Sequence, residues 1–122
     1  MTTYRFFTAT ELSCRCCQAE GMNLEFMGKV DAIRDRLGFP FVVTSAYRCP
    51  DHNLAVSTTG ADGPHTTGRA IDIAVARERA YWVLRLAMEM GLTGIGVSQK
   101  GVARRFIHLD DLEDNRPRIW SY

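Results

Sequence analysis

The stretch from residue 23 to residue 45 constrains the fold most strongly, because it places a helix, a break and a strand in direct succession. Apolar side chains recur at helical spacing within residues 23–37, at Phe26, Val30, Ile33 and Leu37. Gly38 stands where a C-terminal glycine cap belongs, and Pro40 interrupts the helical pattern. Residues 41–45 are aromatic or β-branched and predict a strand. A helix followed so closely by a strand indicates a chain of the α+β type.

The rest of the chain continues the same mixture of elements. The patterns predict a strand at 70–75, a helix at 77–90 closed by Gly91, a β pair at 94–97 and 105–110, and a short terminal strand at 118–122. Residues 47–63 are rich in Pro, Asp, Asn, Ser, Thr and Gly and predict a long loop, clearest at 57–64. Because 122 residues is the size of one domain, we predict a single compact α+β domain over residues 1–122.

The charge balance and the apolar runs exclude several kinds of partner. Lys and Arg number 15 against 14 Asp and Glu, so the net charge of +1 provides no basic field for binding nucleic acid. The longest apolar runs, such as residues 39–43, are far shorter than the roughly 20 residues that span a bilayer. The first residues lack the basic start and apolar stretch of a signal peptide. We therefore expect a soluble monomer, made in the cytoplasm without a signal peptide, with no nucleic-acid or membrane partner.

The four cysteines allow more than one interpretation. Cys14, Cys16 and Cys17 cluster near the start of the chain, and Cys49 follows much later. Reduced thiols are the default in an unexported chain of this size, although an even number of cysteines also permits disulfides. Four thiolates would in addition suffice for a tetrahedral structural zinc ion. Free thiols, disulfides and a metal site all stay open at this point.

Two of the three histidines stand in positions suited to metal chemistry. A hydrolytic zinc ion takes three protein ligands of nitrogen or oxygen type and keeps one position open. His65 lies at the mouth of the predicted strand 70–75, Asp72 interrupts the apolar run of that strand, and His108 lies in the strand 105–110. The plainer alternative is a hydrogen-bonded histidine in a loop and an aspartate paired with a nearby donor. Gly68 permits a tight backbone path from the loop into the strand.

Four short motifs, taken together and in this order, resemble those of the zinc D-alanyl-D-alanine carboxypeptidase family. They are Ser45-Ala-Tyr-Arg48, Pro50-Asp-His-Asn53, His65-x-x-Gly-x-Ala-x-Asp72 and Phe106-Ile-His-Leu-Asp110. This family comprises small metallopeptidases that cleave peptidoglycan, are often encoded by phages and prophages, and share a fold with the hedgehog signalling domain. The resemblance implies a small, mainly antiparallel sheet with flanking helices. It also implies that zinc is bound by His65, Asp72 and His108, and that His52 has a structural role.

The same resemblance implies catalytic roles for Arg48 and Asp110. Arg48 would face the active site and hold the scissile carbonyl or a substrate carboxylate, a role that suits a permanently charged guanidinium, although a structural salt bridge is the alternative. Many members carry a Glu or Asp general base three residues before the last histidine ligand, where this chain has Arg105. Asp110 lies on the same strand face as His108 and is the nearest replacement. Alternatively, Asp110 only orients a histidine ligand.

The leading hypothesis is therefore a zinc-dependent peptidase that hydrolyses peptidoglycan stem peptides, as a D,D-carboxypeptidase or an endopeptidase. A second hypothesis is a non-catalytic module of the same fold that binds zinc and a cell-wall peptide. A third, an interaction module built on thiolate-bound zinc, leaves His65, Asp72 and His108 without a common purpose. For the enzyme we expect a phage-encoded protein that reaches the cell wall at lysis, from a virion, or by a separate transporter.

Overall fold

Four α-helices and five strands are present among residues 4–122, which a computed structural model describes. The α-helices are α1 (Ala9–Leu12), α2 (Leu24–Leu37), α3 (Pro50–Val56) and α4 (Arg77–Glu89). The strands are β1 (Val42–Ser45), β2 (Ala70–Ala74), β3 (Gly94–Ser98), β4 (Phe106–Asp110) and β5 (Arg118–Ser121). Two 3₁₀ turns, Gly60–Asp62 and Pro64–Thr67, lie between α3 and β2.

The five strands form one sheet in the order β1-β2-β4-β3-β5. All neighbouring strands are antiparallel except β3 and β5, which are parallel. The predicted fold class, a single α+β domain with a mainly antiparallel sheet and flanking helices, is confirmed. Among the described residues, no helix is both long and apolar enough to cross a membrane.

One face of the sheet forms the hydrophobic core with α2 and α4. Because side chains alternate along a strand, the apolar residues of the central strands share this face. They are Ile71 and Ile73 of β2, Ile107 and Leu109 of β4, and Ile95 of β3. The helices contribute the buried side chains of Phe26, Val30 and Ile33 from α2, and of Val83 and Ala87 from α4. The opposite face is therefore left for polar residues.

Local signals place the ends of α2 as predicted. Asn23 caps the helix, its side chain accepting a hydrogen bond from the N–H group of Phe26 at 3.0 Å. Gly38 ends it in the left-handed conformation, with φ of 75°. The predicted strands, and the helix predicted at 77–90, which is α4, occur within one or two residues of the expected bounds.

Two helices were not predicted. The expectation of a continuous loop over residues 47–63 is wrong for residues 50–56, which form α3. Pro50 occupies the first turn of this helix and Cys49 caps it, and both residue types also occur in turns, so the composition concealed the helix. The short helix α1 is held by a capping box between Thr8 and Glu11.

We expect Gly68→Ala to destabilise the domain more than Gly38→Ala. Both glycines have a left-handed backbone, with φ of 76° and 75°, which costs an alanine roughly 1–2 kcal/mol. At Gly68 an added methyl group would also collide with the carbonyl oxygen of Gly21, whereas at Gly38 it would meet open space. Urea unfolding of the two variants measures the difference, and equal losses would show that the close approach at Gly68 has no energetic weight.

Candidate metal centre

A row of five residues crosses the polar face of the sheet, one from each strand. Backbone pairing places Ser45 opposite Asp72, Asp72 opposite His108, His108 opposite Gly96, and Gly96 opposite Trp120. Adjacent residues in such a row have their side chains within contact distance. The sheet thus brings together the Asp72 carboxylate, the His108 imidazole and the Trp120 indole from distant parts of the sequence.

Gly96 provides the space in which Trp120 lies. A methyl group on Gly96 would come within 2.6 Å of the indole nitrogen of Trp120, so the ring lies directly over the glycine. From there the indole reaches His108, and the centroids of the two rings are 5.1 Å apart. A side chain at position 96 would therefore separate Trp120 from His108.

His65 reaches the row from the 3₁₀ turn that precedes β2. Its Nδ1 lies 2.7 Å from the carbonyl oxygen of Ala46, and since a carbonyl only accepts, Nδ1 carries the proton. Its Nε2 faces the row and lies 3.3 Å from a carboxylate oxygen of Asp72. Gly68 follows the turn in the left-handed conformation and directs the chain into β2, as its sequence position suggested.

His108 lies between two carboxylates. Its Nδ1 is 2.9 Å from Asp72, and its Nε2 is 2.7 Å from Asp110. Burial disfavours a charged ring, but hydrogen bonds with Asp110 and Asp72 outweigh burial and raise the pKa of His108. Burial likewise opposes the charge on Asp72, whereas hydrogen bonds from His108 and His65 hold the pKa of this carboxyl well below its ordinary value.

The three residues His65, Asp72 and His108 fit a zinc ion of the hydrolytic kind. One ligand atom from each lies within 4.8 Å of the others, and all three side chains are buried. Two imidazole nitrogens and a carboxylate oxygen are ligands that hydrolytic zinc sites use. The ring nitrogen of each histidine that faces away from Asp72 is engaged, by a backbone carbonyl for His65 and by a carboxylate for His108. Histidines that bind metals are oriented by contacts of these two kinds.

Asp110 is fully buried, and both of its oxygens are occupied. One oxygen accepts hydrogen bonds from His108 Nε2 and from Arg116 Nη2 at 2.7 and 2.8 Å. The other accepts from Arg116 Nε and from the N–H group of Leu112. Burial opposes its ionisation, but the bonds from Arg116 and His108 prevail and lower the pKa of Asp110 to about 2. Gly94 leaves the space that this carboxylate fills.

Arg48 lies beside the row on the segment between β1 and α3. Its Nε donates to the hydroxyl of Ser45 at 3.0 Å and its Nη1 donates to the side-chain oxygen of Asn53 at 3.1 Å. Its Nη2 lies 3.9 Å from Asp72, which is too long for a strong ion pair. Asn53 is itself buried and donates to Thr59, so both hydrogen-bond partners of Arg48 are neutral, and its one ion-pair contact among the described residues is the 3.9 Å approach to Asp72.

The three candidate ligands line a cleft of about 770 Å³. Three arginines also line this cleft: Arg48, Arg116 and Arg118. Among the residues described, Asp72 is the one carboxylate in the lining, and Phe106, Trp120 and Tyr122 contribute aromatic walls. A cleft with this lining suits an anionic ligand that also has apolar groups.

His52 and Arg105 lie apart from this cleft lining. His52 is half-buried in α3, and its N–H group contacts the sulfur of Cys49. Arg105 immediately precedes β4. Position 105 therefore supplies no group to the cleft lining.

Three further residues shape the site and were missed from the sequence. Arg116 fixes Asp110, Trp120 packs on His108, and Asn53 holds Arg48. For Trp120 a signal was present, since the tail was predicted as a strand, but nothing in the sequence indicated its pairing with β3. For Arg116, which lies in a loop, no pattern was available.

Comparison with known families supports what the geometry suggests. The family model described as Peptidase M15 matches residues 5–110, which include Arg48, Asp110 and the three candidate metal ligands. Arg116, Trp120 and Tyr122 lie beyond the matched stretch. No curated protein matches the chain. Since the match covers most of the chain, this protein belongs to the Peptidase M15 family, whose members are hydrolases.

Proposed function

We propose that this protein is a zinc-dependent peptidase that hydrolyses peptide bonds in the stem peptides of bacterial peptidoglycan, as a D,D-carboxypeptidase or an endopeptidase. The observation that carries the proposal is the group of His65, Asp72 and His108 in the cleft. The ring nitrogen of each histidine that faces away from Asp72 is held by a hydrogen-bond acceptor. These residues would hold a zinc ion, which would act as a Lewis acid on the scissile carbonyl and on the attacking water.

The lining of the cleft favours a peptide substrate that carries free carboxylates. Stem peptides have such groups on their D-glutamate and at their C-terminus, and Arg48 and Arg118 offer positively charged donors to them, whereas the donors of Arg116 are occupied by Asp110 and by backbone carbonyls. Arg48 lies beside the ligand group, with Nη2 3.9 Å from Asp72, and neither of its two hydrogen bonds to neutral partners uses Nη2. We assign to it the stabilisation of the oxygen on which negative charge develops.

For Asp110 we propose the orienting role rather than that of general base. A general base needs an oxygen within reach of the proton that it accepts. Both oxygens of Asp110 are instead directed to His108 and Arg116, and the side chain is fully buried behind the imidazole. Its contact holds the His108 ring with Nδ1 towards Asp72.

Incubating the zinc-loaded protein with a digest of peptidoglycan should release shortened stem peptides. We expect His65→Ala to abolish release and to lower the zinc content by one ion per chain, because one of three ligands is lost. His52→Ala is the matched control, since His52 lies outside the site, and should behave as the wild type. Mass spectrometry of the digest and metal analysis measure both effects.

Zinc bound at this site without any release of peptide would refute the enzymatic proposal and favour the binding module. Release that persists in the His65→Ala variant would refute the assignment of the site itself.

Replacing Arg48 by Gln should lower kcat by about 10²–10³-fold, the usual effect of removing a donor to a developing oxyanion. Zinc content should be unchanged, because Arg48 is not among the candidate ligands. Arg105→Gln is the control for loss of an arginine outside the cleft. Steady-state kinetics on a purified muropeptide provides the measurement, and an unchanged kcat would leave Arg48 with the structural role alone.

Asp110→Asn separates the two roles considered for this residue. If Asp110 orients His108, zinc affinity falls about 10–100-fold and activity recovers at saturating zinc. If it is the general base, zinc affinity is unchanged and kcat falls about 10²–10⁴-fold at any zinc concentration. Chelator competition and kinetics at saturating zinc measure the two quantities.

Asp111→Asn provides the matched control for that experiment. Asp111 is the neighbouring buried carboxylate, but it pairs with Arg69 and Lys29 and not with a histidine. The control variant loses a buried ion pair as Asp110→Asn does, so any effect common to both variants reports stability rather than the site.

A further inference from the structure

The four cysteines lie together outside the lining of the cleft just described; Cys14 is buried, Cys49 is half-buried, and Cys16 and Cys17 are exposed. Their sulfur atoms all lie within 4.8 Å of one another, although Cys16 and Cys49 are 33 residues apart in sequence. The sulfur of Cys16 lies 3.5 Å from that of Cys14 and 3.4 Å from that of Cys49. All four cysteines are free thiols.

This arrangement has the dimensions of a tetrahedral metal site. Zinc–sulfur bonds of about 2.3 Å place the four sulfurs of a tetrahedron about 3.8 Å from each other. The two separations of 3.4 and 3.5 Å are slightly shorter than this value, and the others lie within 4.8 Å. A disulfide bond requires its two sulfurs to be about 2.05 Å apart, whereas these four form one group in which each sulfur lies within 4.8 Å of the others.

The backbone around the cluster is arranged to receive negatively charged sulfur. The N–H group of Cys49 donates to the sulfur of Cys14 at 3.3 Å, and that of His52 donates to the sulfur of Cys49 at 3.4 Å. Hydrogen bonds to the charged form of a group favour that form. Thiolate is the form of cysteine that binds metal.

Few hydrogen bonds hold the loop that carries three of the cysteines; outside the cluster they include one from the Arg15 guanidinium to the carbonyl oxygen of Val43 at 3.2 Å. Residues 15–21 are exposed, and Gln18 has a left-handed backbone with φ of 60°. Two backbone hydrogen bonds close the loop on Cys14, from Cys14 to Ala19 and from Gln18 to Cys14. An exposed loop in a small domain is a place where a bound metal contributes stability that burial does not supply.

We propose that Cys14, Cys16, Cys17 and Cys49 bind a structural zinc ion, separate from the ion at His65, Asp72 and His108. Four protein ligands leave no position open, which is typical of structural and not of catalytic zinc. The ion would join the loop after α1 to the segment that carries Arg48, since Cys49 is the next residue. It would thereby fix the backbone of Arg48 without touching the substrate.

Cobalt substitution of the wild-type full-length chain under reducing conditions tests this site directly. Co²⁺ bound to thiolates gives intense sulfur-to-metal charge-transfer absorption, which a site of histidine and aspartate does not give. We expect this absorption from the wild type and also from His65→Ala, and we expect excess zinc to abolish it. Absence of the absorption in the wild type would overturn the proposal.

Metal content and thiol reactivity supply measurements that do not depend on a spectrum. The wild type should contain two zinc ions per chain, and both His65→Ala and the exposed pair Cys16→Ser with Cys17→Ser should contain one. Zinc should protect all four thiols from a thiol reagent until a chelator is added. Fewer than four thiols after denaturation and chelation, with no reductant present, would indicate disulfides and refute the proposal, as would bound iron in place of zinc.

The two zinc assignments fail separately. Loss of the cobalt charge-transfer band with one zinc retained in the Cys16→Ser and Cys17→Ser protein supports the thiolate site whether or not the chain is a peptidase. Two zinc ions in that protein would refute the thiolate site and leave the peptidase proposal intact.

Discussion

The pairing of β2 with β4 is the constraint on which the rest of the structure depends. Asp72 faces His108 in this pairing, and on the opposite face Ile71 and Ile73 lie beside Leu109 and Ile107. A slip of one residue would move the charged groups into the core and the apolar groups onto the cleft. The burial of these isoleucine and leucine side chains therefore determines the register, and through the register it determines the distance between two of the candidate metal ligands.

The charged groups that this register buries on β2 and β4 must be paired, because each ion removed from water costs several kcal/mol unless it has a partner. A chain of hydrogen bonds provides this pairing, running from Arg116 through Asp110 and His108 to Asp72. Its charges alternate in sign when His108 is protonated, as its raised pKa favours. Zinc at this site would replace that proton on Nδ1, so metal binding and deprotonation of His108 are linked.

Much of this arrangement could be predicted, because it follows from local periodicity. Isoleucines on both sides of Asp72 indicate a strand with one polar position, and period-two spacing places Asp110 with His108. The role of Asp110 could not be predicted in the same way, because Arg116 comes from a loop and donates to both oxygens of Asp110. Trp120 was missed as a site residue because the parallel pairing of β5 with β3 joins distant segments and leaves no trace in either. Helix α3 was hidden by residues that turns also favour.

The segment between β1 and α3 connects the two groups of candidate metal ligands. It has no regular structure, so its backbone must be fixed by contacts with its neighbours. The carbonyl of Ala46 accepts from His65 Nδ1, Tyr47 donates from its backbone to Leu12, and Arg48 donates from its backbone to His65. Cys49 then enters the thiol cluster through its sulfur and its N–H group. Arg48 thus stands between a contact with the cleft histidine and a contact of its neighbour Cys49 with the other cysteines, which explains how a side chain on an irregular segment is held in place beside the cleft.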